Sequence, residues 1–223
     1  MHLLIPAAGS GSRMKAGKNK LLIKLKNESL IYWTIKKVFL SKYISWVGII
    51  GQQHDKDEIM HSIKEFSDRV SWIQGGDTRQ ESVRNGINNL PINATKVLIH
   101  DGARCLIKPE LIDKCSEELK LNDALIVALK VTDTIKVANE NQIIKETPDR
   151  NFLWAAQTPQ GFLVSKLKKA HQTALDNGWS VTDDASLFER LNLAVRIIEG
   201  DSTNIKITNP FDLKIASLFL ETN

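Results

Sequence analysis

A glycine-containing loop rich in basic residues follows the first apolar segment, with the sequence IPAAGSGSRMKAGKNK from Ile5 to Lys20. Small residues let a backbone approach a ligand closely, and successive N–H groups can surround an anion. Arg13 and Lys20 place mobile positive charge beside those groups. Because fixed cations stabilise the charge that develops during phosphoryl transfer, the loop is suited to hold a nucleoside triphosphate while its α-phosphorus is attacked.

Two common phosphate-binding motifs do not fit this loop. The dinucleotide fingerprint G-x-G-x-x-G needs glycine where Met14 stands, and the next predicted strand ends in glutamines rather than an acidic residue. An NAD-dependent reductase is therefore a weak alternative. The P-loop needs Ser or Thr after its lysine, whereas Asn19 follows Lys18. A glycine-rich turn with solvated lysines is the structural alternative.

Two further clusters follow predicted strands of the N-terminal half. GGDTRQES, from Gly75 to Ser82, offers glycine backbone and an outward-facing Ser82 hydroxyl that can read a base edge, although a turn with a capping residue is the alternative. In HDGAR, Asp101 ends a buried strand and is placed to ligate Mg²⁺ that bridges phosphates. His100 is expected to be structural, because no nucleophile lies nearby.

The C-terminal half adds three polar segments. Pro159 predicts an irregular turn at Thr158, and Thr182 either faces a ligand or caps a helix toward Ala185. NIKIT is predicted to be a short strand with Lys206 and Thr208 on one face. Lys206 would then be a rigid cation, or else a solvated lysine at a sheet edge.

Apolar segments that alternate with helical patterns predict the frame for these residues. The pattern indicates an α/β fold with a doubly wound, mostly parallel, Rossmann-like sheet in a single domain over residues 1–223. From Val131 to Arg150 it predicts a long β-hairpin. Because an isolated hairpin is marginally stable, we expect an arm that meets a second subunit, with an ordinary meander in the sheet as the alternative.

Composition restricts the partners and the compartment. The 223 residues are 42% hydrophobic and 25% charged, with a net charge of +4 that suits a small anionic ligand better than nucleic acid. The longest apolar run is too short for a membrane span, and a core strand begins directly after Met1, so we expect a cytoplasmic protein without a membrane partner. Cys105 and Cys115 are expected to be free thiols.

Six ordered blocks between residues 5 and 213 resemble one family. They are PAAGSGSRM, GGDTRQESVRNGI, VLIHDGAR, DRNFLWAAQTPQGF, TDDASLFE and NIKITNPFDL. The sequence resembles the 2-C-methyl-D-erythritol 4-phosphate cytidylyltransferases of the non-mevalonate isoprenoid pathway. The resemblance implies that the phosphate of methylerythritol phosphate attacks the α-phosphorus of CTP and that pyrophosphate leaves. It also implies a homodimer in which a β-arm completes the partner's site.

The resemblance implies a role for each site residue by its position. Arg13 and Lys20 would stabilise the pentacoordinate transition state, with Lys206 orienting the attacking phosphate. CTP would contact Ala7, Ala8, Gly9, Gly11, Gly76, Asp77, Ser82, Asp101 and Gly102, with Asp101 also holding Mg²⁺ or another divalent cation. The acceptor would contact Arg104, Thr158, Thr182, Asp183 and Lys206, together with Thr134 and Arg150 from the second subunit.

Four positions depart from the family pattern. Asn19 and Leu21 flank Lys20 where the family usually has Pro and Gln, and loss of the proline is expected to make the loop less rigid. Gly102 is expected to add backbone freedom beside the metal site, and Cys105 removes a proline kink.

Two alternative functions use the same fold: a cytidylyltransferase for another polyol phosphate such as ribitol 5-phosphate, and a non-catalytic CTP-sensing module.

Overall fold

A computed structural model describes residues 1–8 and 19–220, so the predictions for Gly9, Gly11 and Arg13 lie outside the described residues. The strands are β1 His2–Pro6, β2 Lys24–Leu25, β3 Glu28–Ser29, β4 Trp46–Gly51, β5 Val70–Gln74, β6 Lys96–Ile99, β7 Ala124–Lys130, β8 Val137–Ala138, β9 Ile144–Glu146, β10 Trp154–Leu163 and β11 Arg196–Glu199. The helices are α1 Leu30–Phe39, α2 Lys56–Ser62, α3 Arg79–Asn88, α4 Pro109–Glu118, α5 Val164–Asp176, α6 Ala185–Arg190 and α7 Pro210–Phe219.

In the part of the chain that the structure describes, seven strands form the central sheet in the order β11-β7-β10-β6-β1-β4-β5. β10 runs antiparallel to both of its neighbours, and the other pairings are parallel. Leu4 at the centre of β1 lies opposite Gly48 on one side and Ile99 on the other. This mostly parallel sheet with flanking helices confirms the predicted α/β, Rossmann-like fold.

The side-chain alternation of β1 explains why helices cover both faces of the sheet. Leu3 and Ile5 join one apolar cluster with residues of α1 and α4, whereas Leu4 joins the opposite cluster with residues of α3 and α5. Each of these three side chains is fully buried, which stabilises the fold by about 1.5–3 kcal/mol per side chain. The sheet is therefore held from both sides, and the carboxyl ends of β1, β4, β5 and β6 share one rigid edge.

The hairpin predicted between 131 and 150 exists as a separate two-stranded antiparallel sheet formed by β8 and β9. Its turn begins at Asn139, whose side chain accepts hydrogen bonds from the backbone N–H groups of Asn141 and Ile143. Ile143 and Ile144 are mostly exposed. The structure thus confirms a hairpin outside the central sheet and excludes the meander alternative.

Two local predictions were wrong. The TPQ segment is not a turn but part of β10, whose pairing with β7 shifts register between Ala156 and Gln160, and such an irregularity accommodates proline in a strand. NIKIT is not a strand, although Ile207 donates a backbone hydrogen bond to the Ala103 carbonyl. That segment is held by single contacts to the loop after β6 rather than by a ladder.

Within the described residues, none of the helices combines the length and apolar character needed to cross a bilayer.

Candidate active site

A cavity of about 460 Å³ opens at the carboxyl ends of the central strands. Nine of the predicted site residues line it: Ala7, Ala8, Lys20, Gly76, Asp77, Ser82, Asp101, Gly102 and Lys206. The cavity wall also includes Pro6, Leu21, Thr78, Arg79 and Ala103. Four separate regions of the sequence therefore meet in one cavity of the size that a nucleotide requires.

The loop between β5 and α3 is fixed by its own side chains. Thr78 caps α3 by accepting a hydrogen bond from the Glu81 N–H, and the Glu81 carboxylate accepts one from the Asp77 N–H. A Cβ atom at Gly76 would lie 2.2 Å from Glu81 Cγ, so only glycine fits there without displacing Glu81. The loop therefore presents backbone groups to the cavity in a defined conformation.

The Ser82 hydroxyl was predicted to face outward, but in the structure it does not. Its side chain is buried, and Oγ accepts a hydrogen bond from the Gly76 N–H at 3.0 Å. Gln52 donates to the carbonyl of the same glycine at 3.0 Å. Ser82 is therefore placed to hold the glycine backbone rather than to project toward a base.

The carboxylate of Asp101, just after β6, lies close to two positively charged side chains. Lys206 Nζ lies 2.8 Å and Arg104 Nε lies 3.5 Å from Asp101 Oδ2. Burial raises the pKa of Asp101, but the charges and hydrogen bond of Lys206, with Arg104 and Arg79, lower it to about 2. The carboxylate is thus ionised at neutral pH and fixes the half-exposed Lys206 ammonium at the cavity.

A buried hydrogen-bond chain supports Asp101 from below. The Asp101 N–H donates to Thr158 Oγ1 at 3.0 Å, and Thr158 Oγ1 lies 3.0 Å from His100 Nδ1. His100 Nε2 lies 3.3 Å from the Arg104 carbonyl. A neutral imidazole with its proton on Nε2 satisfies both contacts, and burial lowers the pKa of His100 to about 4. His100 is structural, as predicted, and Thr158 lies beneath the cavity rather than on its wall.

Arg104 also lies beneath the cavity. It is buried, and Nη1 donates to the Asn204 carbonyl at 2.8 Å, which ties the loop carrying Lys206 to the end of β6. Asn204 in turn donates to the Thr158 carbonyl at 2.8 Å. This placement differs from the predicted contact between Arg104 and the acceptor phosphate, since the guanidinium is directed to backbone oxygens.

Arg79 also lines the cavity, and the sequence pattern did not predict a site role for it. Its Nη1 donates to Asp184 Oδ2 at 2.9 Å, and the other oxygen of the fully buried Asp184 lies 3.1 Å from His171 Nε2. Burial lowers the pKa of Arg79, but Asp184, Asp101 and Asp183 together outweigh it and the net shift is upward. A cation in the first turn of a helix is electrostatically unfavourable, and that is the sequence signal for a nearby anion.

The other predicted acceptor residues lie away from this cavity. Thr182 is exposed and does not cap α6, because Asp183 accepts from the Ser186 N–H instead. Asp183 also accepts from Gln160 Nε2. Thr134 and Arg150 are exposed on the hairpin, where Arg150 Nη1 donates to the Thr132 carbonyl. In the described chain these residues and the cavity are not brought together.

The wall of the cavity offers few carboxylates to a divalent cation. Asp77 and Asp101 are the acidic side chains on its wall, and the described residues contain no group of three or more His, Cys, Asp or Glu side chains placed to hold a metal. One ionised carboxylate beside a phosphate-binding cavity suits Mg²⁺, which takes few protein ligands and completes its shell with substrate oxygens and water.

The departures from the family pattern are buried and ordered. Cys105 packs with Leu25, Leu30 and Ile207, and burial raises the pKa of its thiol to about 12. A Cβ atom at Gly102 would lie 2.8 Å from Leu21 Cδ1, so the side chain of Leu21 occupies the space that a larger residue at 102 would need. The two departures at 21 and 102 are thus packed against each other.

Comparisons with known proteins identify the family of this chain. The model of the 2-C-methyl-D-erythritol 4-phosphate cytidylyltransferase family matches residues 1–222. A protein of that name from Prochlorococcus marinus is 67% identical over 223 residues, which is 100% of this chain and 99% of the relative. Another from Parasynechococcus marenigrum is 51% identical over 220 residues, 99% of this chain and 97% of the relative.

Comparison with solved structures identifies the same family. The crystal structure of 4-diphosphocytidyl-2C-methyl-D-erythritol synthase from Anaerococcus prevotii superposes with a TM-score of 0.88 at 29% identity, over 99% of this chain and 97% of that chain. The family match spans nearly the whole sequence and includes every strand of the central sheet. The chain therefore belongs to the 2-C-methyl-D-erythritol 4-phosphate cytidylyltransferase family.

Proposed function

We propose that the cavity at the ends of β1, β5 and β6 is where this chain transfers a cytidylyl group. As a member of its family, it is a nucleotidyltransferase that acts on CTP and 2-C-methyl-D-erythritol 4-phosphate in isoprenoid precursor synthesis. A phosphate oxygen of the acceptor bonds to the α-phosphorus, the bond from that phosphorus to the bridging oxygen breaks, and pyrophosphate leaves. The observation that carries the proposal is that Lys20, Asp101 and Lys206 converge on one cavity.

Each group on the cavity wall has a proposed role that follows from its position. Lys20 places positive charge where the transition state gains negative charge, and Arg13 is proposed to add to it. Lys206, fixed by Asp101, orients the acceptor phosphate for in-line attack. The Gly76 and Asp77 backbone, held by Ser82 and Glu81, contacts the base.

Mg²⁺ is proposed as the cofactor, with Asp101 as its protein ligand. When bound, the ion neutralises charge on the triphosphate and the leaving pyrophosphate. Asp101 contributes an ionised oxygen at neutral pH because its pKa is lowered by Lys206 and the neighbouring arginines. Thr158 fixes the backbone of Asp101 and thereby the direction of the carboxylate.

The hairpin is proposed to pair two copies of the chain in a homodimer. It lies outside the central sheet and exposes Ile143 and Ile144, with Phe152 exposed at its base. Arg150 and Thr134 do not line the cavity of their own chain, and we propose that they reach the acceptor in the partner's cavity. The contact would bury these apolar side chains and complete each site in trans.

Mixing two inactive variants tests the trans arrangement. Lys20→Ala damages the cavity and Arg150→Ala damages the arm, so each homodimer is expected to be nearly inactive. A heterodimer contains one undamaged cavity served by an undamaged arm, and random exchange in an equal mixture should restore about a quarter of wild-type activity. If the mixture stays inactive although affinity purification through a tag on one variant recovers the other variant, the arm does not act in trans.

The acceptor is tested by pyrophosphate release with CTP and either methylerythritol phosphate or ribitol 5-phosphate. Turnover is expected with the first and little with the second. Strong preference for ribitol 5-phosphate would contradict the proposed acceptor contacts. CTP binding without pyrophosphate release from either acceptor would instead identify a CTP-sensing module.

The cytoplasm is proposed as the compartment, because Cys105 and Cys115 are both buried free thiols.

A further inference from the structure

Asn19 joins three segments around Lys20. Its Nδ2 donates to the Ala7 carbonyl at 2.7 Å and to Asp55 Oδ2 at 2.8 Å, and its Oδ1 accepts from the Leu21 N–H at 3.0 Å. Both amide protons and the amide oxygen are therefore used, and the residue is 5% exposed. Asn19 is therefore a buried residue whose side-chain amide has all its hydrogen bonds made within the protein, and not a solvated loop residue.

These bonds fix the backbone on both sides of Lys20. Asn19 caps the short 3₁₀ turn Lys20–Leu22, and its carbonyl accepts from the Leu22 N–H at 3.0 Å. The bond to Ala7 ties the turn to the residue that follows β1, whose own N–H donates to the Ile50 carbonyl at 2.7 Å. The Lys20 backbone thus has a defined position relative to the central sheet.

Leu21 anchors the same turn by burying its apolar side chain in the core. It is 3% exposed and belongs to the cluster that also contains Ile5 and Ile31. Because Leu21 points into the core, the preceding side chain in the turn is directed toward the cavity, which Lys20 lines. Asn19 holds the turn by hydrogen bonds and Leu21 holds it by burial.

We propose that Asn19, held by Asp55, is a positioning residue for Lys20. The inference rests on the catalytic role proposed above for Lys20 and extends it to two residues that do not line the cavity. Asp55 lies just before α2, with its side chain mostly covered, so its carboxylate anchors the Asn19 amide from outside the site. Loss of either side chain lets the lysine leave the geometry that the transition state needs.

The backbone at Asn19 shows what could replace this hydrogen bonding. Its φ of −56° and ψ of 124° lie in the region that proline adopts without strain. A pyrrolidine ring would restrict φ covalently, with no side-chain bonds to Ala7 or Asp55. Asn19→Pro should therefore preserve the position of Lys20 better than Asn19→Ala, and it should make Asp55 dispensable.

The experiment measures kcat and the KM for CTP in a small set of variants. Asn19→Ala and Asp55→Ala are expected to lower kcat by about 10-fold or more with smaller changes in KM, because displacement of a catalytic group by about 1 Å can cost up to 10²-fold. Asp55→Asn should recover most of kcat, since its amide oxygen can still accept from Asn19. Asp57→Ala removes an exposed carboxylate two residues further along, in α2, and is the matched control that should behave as wild type.

The double variant Asn19→Pro/Asp55→Ala decides the mechanism. The proposal expects Asp55→Ala to lower kcat when Asn19 is present and to have no further effect in the Asn19→Pro background. An equal loss in both backgrounds would show that Asp55 acts in another way and would overturn the proposal. Circular dichroism and CTP binding confirm that each compared variant is folded.

Failure of this inference is separable from failure of the proposed function. If Lys20→Ala abolishes turnover while Asn19→Ala keeps wild-type kcat, the lysine is catalytic and the positioning role is refuted. If Lys20→Ala keeps wild-type kcat, the role of Lys20 itself is refuted, whatever Asn19 does.

Discussion

The ammonium of Lys206 lies 2.8 Å from Oδ2 of Asp101, although the two residues come from opposite halves of the chain. Asp101 lies just after β6, whereas Lys206 lies in an irregular segment that is tied to the loop after β6 by Arg104. The pair sets the ionisation of the carboxylate and the direction of the lysine together. A change in either residue should therefore alter the pH dependence as well as the rate.

Lys206→Met is expected to lower kcat/KM by at least about 10²-fold, the usual loss for one electrostatic contact to a transition state. Without Lys206, burial raises the pKa of Asp101 with less opposition, so the acid limb of kcat/KM should move to higher pH. Lys206→Arg keeps the charge and is the control, with its acid limb at the wild-type position. An unshifted limb in Lys206→Met would show that the pair does not control Asp101.

Lys20→Ala is expected to lower kcat by about 10²–10³-fold while weakening CTP binding by less than about 10-fold, because the proposed contact strengthens in the transition state. Isothermal titration with CTP and steady-state kinetics separate the two effects. Lys24→Ala removes an exposed lysine of β2 and serves as the control. Equal losses in binding and in kcat/KM, with kcat unchanged, would make Lys20 a ground-state binding residue.

Asp184→Ala is expected to destabilise the fold by about 3–5 kcal/mol, because it leaves Arg79 and His171 without their common partner. Urea unfolding measures the free energy of unfolding. Glu189→Ala changes an exposed carboxylate of α6, the helix that follows Asp184, and should stay within about 0.5 kcal/mol of wild type. A loss below about 1 kcal/mol for Asp184→Ala would mean that the network is not a structural anchor.

His100 is expected to make the fold less stable at mildly acidic pH. Its pKa is about 4 in the folded chain against 6.5 ordinarily, so between these values the unfolded chain binds a proton that the folded chain does not. The free energy of unfolding should consequently fall by up to about 3 kcal/mol as pH falls from 6.5 to 4. His100→Asn removes the titrating group and should show a correspondingly smaller fall, and parallel curves would contradict the assignment.

The sequence predicted the elements of the fold better than the contacts of the site. Alternating strands and helices and the Asp at the end of β6 followed from local patterns, and both predictions survive in the structure. The ion pair between Arg79 and Asp184 joins residues 105 positions apart, and no local pattern specifies such a partner. Thr158 likewise looked like a ligand contact because its burial depends on how β10 packs.

Asn19 illustrates a different limit. In the sequence it appeared as a missing proline, and the expected consequence was a less rigid loop. The structure shows three side-chain hydrogen bonds at that position, one of them to Asp55 on a distant segment. Local backbone restriction can be supplied by a ring or by tertiary hydrogen bonds, and only the ring is visible in a single sequence.

The antiparallel strand β10 has a consequence for the order in which the protein folds during synthesis. It lies between β6 and β7, so the four strands β5, β4, β1 and β6 are joined to β7 and β11 along the sheet only through β10. Until residues 154–163 leave the ribosome, β6 and β7 each present an open edge that can pair wrongly. One late strand closes both edges, and Lys206, the partner of Asp101, follows that strand in the chain.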